Sequence, residues 1–258
     1  MIPKIIHYCW FGGNPKPTII EKYINTWRKH LNGYEIIEWN ESNFDLVAIP
    51  WTREAMECKK YAFVSDYVRL EVLYKYGGIY LDTDVELIKT FDDLLHLPYF
   101  IGAEYTIHGI NTATIGVEKQ LSWIKTCLEH YNNRHFIVNG RMDLRVNPEL
   151  IKDTLLRNGY NIRNIISLGD FSYVPKDFNI FPAIWFSPIK KGQCILSDQT
   201  YAIHHYAASW GNKSKRRFVD RIKVFLKAIL PLCITQYILK RKKKKRDMWF
   251  DCRNNYRL

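Results

Sequence analysis

Residues 61–87 read YAFVSDYVRLEVLYKYGGIYLDTDVEL, and the fold turns on this stretch. From about Ala62 to Tyr76 the apolar residues recur at helical spacing, directing Phe63, Leu70, Leu73 and Tyr74 inward. The paired glycines Gly77-Gly78 suit a left-handed C-terminal cap. Ile79-Tyr80-Leu81 then reads as an interior strand, with Asp82-Thr83-Asp84 at its carboxyl end. Ligands of open α/β sheets collect outside the carboxyl ends of strands, so the two aspartates stand where a site is expected.

Upstream, Ile2 to Phe11 is β-branched and aromatic and stops at Gly12-Gly13 and two prolines, which predicts a buried first strand emptying into a loop. A helical pattern follows through Ile19, Ile20, Tyr23, Ile24, Trp27 and Leu31, closed by Asn32-Gly33, and then a strand from Glu35 to Trp39. Downstream, short strands (Tyr99 to Ala103, Ala113 to Val117) alternate with helices near Leu121 to Tyr131 and Pro148 to Asn158. Tyr201 to Gly211 reads as a last strand running into a turn. This order predicts an α/β domain with a mostly parallel sheet between helices, over residues 1–212.

The composition agrees: 258 residues with 47% hydrophobic, 25% charged and 15% aromatic residues exclude a disordered or collagen-like chain. The net charge of +12 belongs to the tail, because residues 213–258 carry sixteen Lys or Arg against three acids, leaving twenty-two bases and twenty-three acids before them. Six cysteines without metal-type spacing suggest reduced thiols in a cytosolic protein. No run approaches the roughly 18 apolar residues that a spanning helix needs.

Two carboxylates one residue apart can both approach a divalent ion, and oxygen ligands suit Mg²⁺ or Mn²⁺. An isolated D-x-D is as readily a solvated turn; the helix, glycines and strand before it sharpen the reading. Asp66 and Arg69 share a helix face, as a surface ion pair worth at most about 1 kcal/mol or as part of the site. Trp10, at the end of the first strand, can stack on a base or fill the core. His205 offers a ring nitrogen as a third metal ligand, or is an ordinary satisfied imidazole. Ser209 and Trp210 carry a hydroxyl and an indole N–H suited to phosphate oxygens.

Together the segments IPKIIHYCWFGG (2–13), the central stretch (61–87) and HHYAASWG (204–211) resemble the DXD-containing sugar-transferring enzymes of glycosyltransferase family 32. They are similar, more distantly, to yeast initiating mannosyltransferases and to the glucosyltransferase domains of large clostridial toxins. The resemblance implies a GT-A fold, a nucleotide-diphosphate-sugar donor, a Mn²⁺ or Mg²⁺ ion, and transfer with retention. It implies that Trp10 stacks on the base, that Asp66 and Arg69 contact the ribose and the donor sugar or diphosphate, and that Asp82 and Asp84 form the DXD. In the toxin domains a carboxylate ligand stands at the place of His205, so imidazole would replace it here, with His204 beside it.

The expected reaction moves a hexose, galactose or glucose on UDP, to an acceptor hydroxyl. A diphosphate leaves only if its growing charge is neutralised, by a divalent ion with Arg69, Trp210 and Lys213 or Lys215. No residue suggests itself as a covalent nucleophile, which favours attack on the face that the diphosphate leaves. Glu104, Asn111 and Asn147 are polar candidates for sugar recognition.

In the tail, Phe218, Val219, Ile222, Phe225, Leu226, Ile229 and Leu230 share one helical side, and a basic run from Lys240 to Arg246 follows. Each cation near anionic lipid contributes about 1 kcal/mol, so residues 213–258 read as a membrane-surface tail rather than a solubilising or nucleic-acid-binding one. The expected location is cytoplasmic, peripheral on the inner face of the plasma membrane, with a lipid-linked saccharide acceptor in surface polysaccharide (capsule) synthesis. Two rivals remain: a phosphatase or phosphotransferase with Asp82 as nucleophile, disfavoured because Glu86 stands where that motif wants Thr or Val, and a non-enzymatic basic nucleic-acid or lipid binder, which leaves the near-neutral body unexplained.

Overall fold

Strands that are apolar on both faces need cover on both sides, and the centre of this sheet is built that way. A computed structural model describes residues 1–105, 109–162 and 177–206. The chain divides into two units, 1–207 and 208–258, and the second lies outside the described residues, as do the expected tail helix and the basic run.

The main sheet joins β1 (Ile5–Cys9), β2 (Glu35–Trp39), β3 (Gly78–Leu81), β5 (Tyr99–Ala103) and β6 (Ile110–Val117) in the order β2-β1-β3-β6-β5. β1 is parallel to β2 and β3, and β6 is antiparallel to β3 and β5, so β6 alone is reversed. This is the mostly parallel α/β sheet that the sequence predicts.

Alternate residues face opposite ways. Ile6 and Tyr8 of β1 and Ile79 and Leu81 of β3 pack with Ile20, Ile24 and Trp27 of α1 (Thr18–His30). Cys9 and Tyr80 turn to the other face, against Val64, Val68 and Val72 of α3 (Tyr61–Tyr76), where α4 (Ser122–Glu129) and α5 (Asn147–Arg157) extend the layer. Ile19, part of the apolar pattern of α1, is 49% exposed.

Two features place the site. Gly77 and Gly78, at φ +67° and +97°, turn α3 straight into β3, and a Cβ on Gly78 would lie 2.6 Å from the Ile5 carbonyl oxygen. After Asp84 the chain leaves the sheet as β4 (Val85–Leu87), which pairs antiparallel with β11 (Ala202–His204). That ribbon is pinned to α1: Trp27 Nε1–H donates to the Val85 carbonyl at 2.8 Å, and Thr26 Oγ1 accepts from the Leu87 amide at 2.9 Å. The last strand is therefore shorter than the sequence suggests, and residues 207–211 lie outside the described part.

The sequence reading passed over several elements. α2 (Pro50–Glu57) opens on a proline at its first position, and β7 (Ile137–Val138) and β8 (Arg141–Met142) form a hairpin across Asn139-Gly140. Glu54 of α2 fastens the hairpin root: one carboxylate oxygen accepts the Phe136 and Ile137 amides at 2.8 and 2.9 Å, and the other meets His135 Nδ1 at 2.6 Å. α6 (Ala183–Phe186), β9 (Ile189–Lys190) and β10 (Gln193–Cys194) precede β11. No described helix is long and apolar enough to cross a membrane, and the described cysteines, Cys9, Cys58, Cys127 and Cys194, are free thiols.

His7 ties β1 to its neighbours from a fully buried position: Nε2 bonds the Gly77 carbonyl at 2.8 Å and Nδ1 accepts Trp39 Nε1–H at 3.1 Å. Burial pushes its pKa down to about 4, against the pull of the Gly77 carbonyl, so the ring is neutral. The unfolded chain then binds more protons than the folded one between the ordinary histidine pKa and that value. The His7 contribution should be full above pH about 6.5 and fall by about 3 kcal/mol as pH drops to about 4. Urea unfolding across this range should show a shallower pH dependence for His7→Gln than for the natural chain, and parallel curves would refute the assignment.

Candidate active site

The site forms at the carboxyl ends of β1 and β3, where α3 and the β4–β11 ribbon converge. Its centre is Arg69, whose side chain is 6% exposed. Nη1 donates to the Thr112 carbonyl at 2.7 Å, and Nη2 meets Asp82 Oδ1 and Asp66 Oδ1, each at 3.2 Å. Nε donates to the Ser65 carbonyl at 3.4 Å, and the guanidinium lies 4.6 Å from the centre of the Tyr80 ring. Burial disfavours the guanidinium charge, but the Asp82 carboxylate, with Asp66 behind it, more than restores it. The expected pair of Asp66 and Arg69 is therefore a buried one.

Asp66 is the costlier partner. Burial pushes its pKa up to about 7 against the pull of Arg69, and the Asp82 carboxylate adds to the rise. Asn147 holds it: the backbone amide donates to Asp66 Oδ2 at 3.2 Å, and Nδ2 donates to the Asp66 carbonyl at 2.8 Å. Asn147, a sugar-recognition candidate by sequence, thus buttresses Asp66 from the start of α5. Asn111 is also buried, its Nδ2 donating to Ser187 Oγ at 2.7 Å, while Glu104 lies half-buried beside Tyr206.

One ligand atom from each of Asp82, Asp84 and His204 lies within 4.8 Å of the others. His204 Nε2 is 3.5 Å from Asp84 Oδ1. Two carboxylate oxygens and an imidazole nitrogen are a donor set that a divalent ion can use. His205, which the sequence reading put with the aspartates, points elsewhere: its Nε2 meets Glu86 Oε2 at 2.8 Å and its ring stacks on Tyr23 at 4.4 Å. The reason is strand alternation. His204 pairs with Val85 on the inward face of the ribbon, so the next side chain faces out with Glu86.

Trp10 is half-buried at the end of β1, its Nε1–H donated to the Asn14 carbonyl at 2.6 Å and the Lys16 ammonium 5.7 Å from its ring. Lys16 in turn meets Glu38 at 2.6 Å. Ser209, Trp210, Lys213 and Lys215 lie outside the described residues. Composition around position 112 gave no hint that its carbonyl would anchor Arg69, because a backbone acceptor leaves no mark on residue type.

The buried Arg69, the two aspartates and His204 thus gather outside the carboxyl end of an α/β sheet, where ligands of such folds collect. Residues 17–101 match the family described as "glycosyltransferase sugar-binding region containing DXD motif". That span holds the central stretch; segments 2–13 and 204–211 fall outside it. Among curated relatives, inositol phosphoceramide mannosyltransferase 3 of Schizosaccharomyces pombe is 35% identical over 46% of this chain and 34% of its own length. Mouse lactosylceramide 4-alpha-galactosyltransferase is 25% identical over 77% of this chain and 54% of its own length. The chain thus spans between a third and about half of these relatives. A solved glycosyltransferase involved in glycosylation of the major capsid of PBCV-1 aligns at 12% identity and a TM-score of 0.48, over 83% of this chain and 97% of that one.

Removing one member of a buried ion pair leaves an uncompensated charge and costs about 3–5 kcal/mol. Arg69→Met should lower stability by that order, and adding Asp66→Asn should give back part of the loss. Denaturant unfolding of the single and double variants measures it; a strictly additive cycle would show that the two groups are not coupled.

Proposed function

We propose that this chain is a retaining, metal-dependent hexosyltransferase that moves galactose or glucose from a UDP-sugar to a saccharide carried on a lipid. The observation that carries the proposal is the convergence of Asp82, Asp84 and His204 beside the buried Arg69 at the mouth of the sheet. A Mn²⁺ or Mg²⁺ ion bound there would supply positive charge for the departing diphosphate. Asp82, Asp84 and His204 would hold that ion. Arg69 fixes Asp82 from behind, which keeps the carboxylate aimed outward without rearrangement as charge develops. Trp10, just past the end of β1, would offer its indole as a flat surface to the base. Retention and front-face attack come from the resemblance and from the lack of a recognisable nucleophile.

Both named relatives carry lipid acceptors in their names, inositol phosphoceramide and lactosylceramide, which supports an acceptor of that class. The amphipathic, basic composition of residues 213–258 supports work at an anionic membrane surface, peripheral on the cytoplasmic face, as surface polysaccharide synthesis would require.

Asp84→Asn should reduce Mn²⁺-dependent UDP-hexose hydrolysis or transfer by about 100-fold or more. His204→Ala should weaken the Mn²⁺ requirement while His205→Ala leaves it alone. Near-normal turnover in Asp84→Asn, read by mass spectrometry, would refute the site. Separately, a chain ending after Lys215 should no longer sediment with anionic vesicles, and full retention would remove the membrane role from the tail.

A further inference from the structure

A metal-ligating imidazole ordinarily has its second ring nitrogen tied to a carboxylate, carbonyl or water, and that bond fixes the plane of the ring. Among the described residues His204 has no such tie. With Nε2 turned to Asp84, its Nδ1 is buried without a hydrogen-bond partner among the described residues. Packing must orient the ring instead.

Tyr206 supplies the packing. Side chains two apart on a strand stand roughly 7 Å from each other, yet the centres of the His204 and Tyr206 rings are 4.1 Å apart, tilted by 36°. The approach comes from the backbone: β11 ends at His204, and Tyr206 sits at φ +50°, a left-handed conformation unusual for a bulky residue. The far end of its ring is anchored in the interior. The Tyr206 hydroxyl donates to Ser187 Oγ at 3.1 Å, and that oxygen also accepts Asn111 Nδ2–H at 2.7 Å. Asn111 is itself fixed, its Oδ1 accepting the Ala113 amide at 2.7 Å within β6. A continuous set of contacts thus runs from the main sheet through Asn111, Ser187 and Tyr206 to the face of His204.

We propose that Tyr206, anchored by Ser187 and Asn111, is a positioning residue that sets the His204 ring toward Asp82 and Asp84 and thereby raises divalent-cation affinity. This rests on reading those three residues as a cation site. The ring does the positioning, and the hydroxyl keeps the ring in place.

The test is Mn²⁺ binding to the full chain without nucleotide, followed by the electron paramagnetic resonance signal of free Mn²⁺. Tyr206→Leu should weaken binding by about tenfold while the thermal unfolding midpoint shows a folded protein. Tyr206→Phe, which keeps the ring, should bind more tightly than the leucine variant. Wild-type affinity in Tyr206→Leu, or equal weakness in the leucine and phenylalanine variants, would overturn the proposal. Should the leucine variant not fold, Ser187→Ala carries the test: weaker Mn²⁺ binding is expected, and unchanged binding overturns it. Asp84→Asn is measured alongside. If it loses Mn²⁺ while Tyr206→Leu does not, the positioning role alone falls; if it binds Mn²⁺ normally, the cation site itself falls and the role of Tyr206 with it.

Discussion

A guanidinium out of water between two carboxylates is the constraint on which the rest depends. Arg69 must find acceptors for its donors, and it finds them on α3, β3 and the strand beyond, so one side chain ties three elements together. Removing a charge from water is costly unless it is paired, and pairing dictates where Asp66 and Asp82 stand. Asp82 is thereby held beside Asp84 and His204, one ligand atom of each lying within 4.8 Å of the others.

The ribbon of β4 and β11 does the remaining placement. Because it leaves the main sheet directly after Asp84, it brings a residue from position 204 beside a residue from position 82. Its attachment to α1 through Trp27 and Thr26 fixes its height over the pocket. Its pleat decides which histidine looks inward. The pair His205–Glu86, stacked on Tyr23, belongs to the outer surface of the same ribbon and braces it against α1.

Much of this was legible in the order of residues. The helix, the two glycines and the strand between Ala62 and Leu81 follow from periodicity and turn chemistry, and Asp82 with Asp84 follows from their place at the strand end. The limits are equally physical. Periodicity named both His204 and His205 as residents of one strand, but the choice between them requires the partner strand, which lies more than a hundred residues away in the chain. Asp66 and Arg69 read equally as a surface pair or as part of the site, since burial by α5 and Thr112, which decides between them, is a tertiary property. The short helix at Pro50 and the hairpin at Asn139-Gly140 carried local turn signals, a proline at a first helical position and an Asn-Gly pair, that went unused beside the longer patterns.

The way Glu54 grips the root of that hairpin separates anchorage from tip. Both amides at the base are satisfied by a carboxylate on α2 and Phe136 is sunk among aromatic rings, so the loop beyond is held independently of its own sequence. Lengthening it would cost little more than the entropy of closing a larger ring, which grows only with the logarithm of its size. Variation in this finger can therefore accumulate without disturbing the neighbouring interior, making it a natural plot for diversification while the charged centre stays as it is.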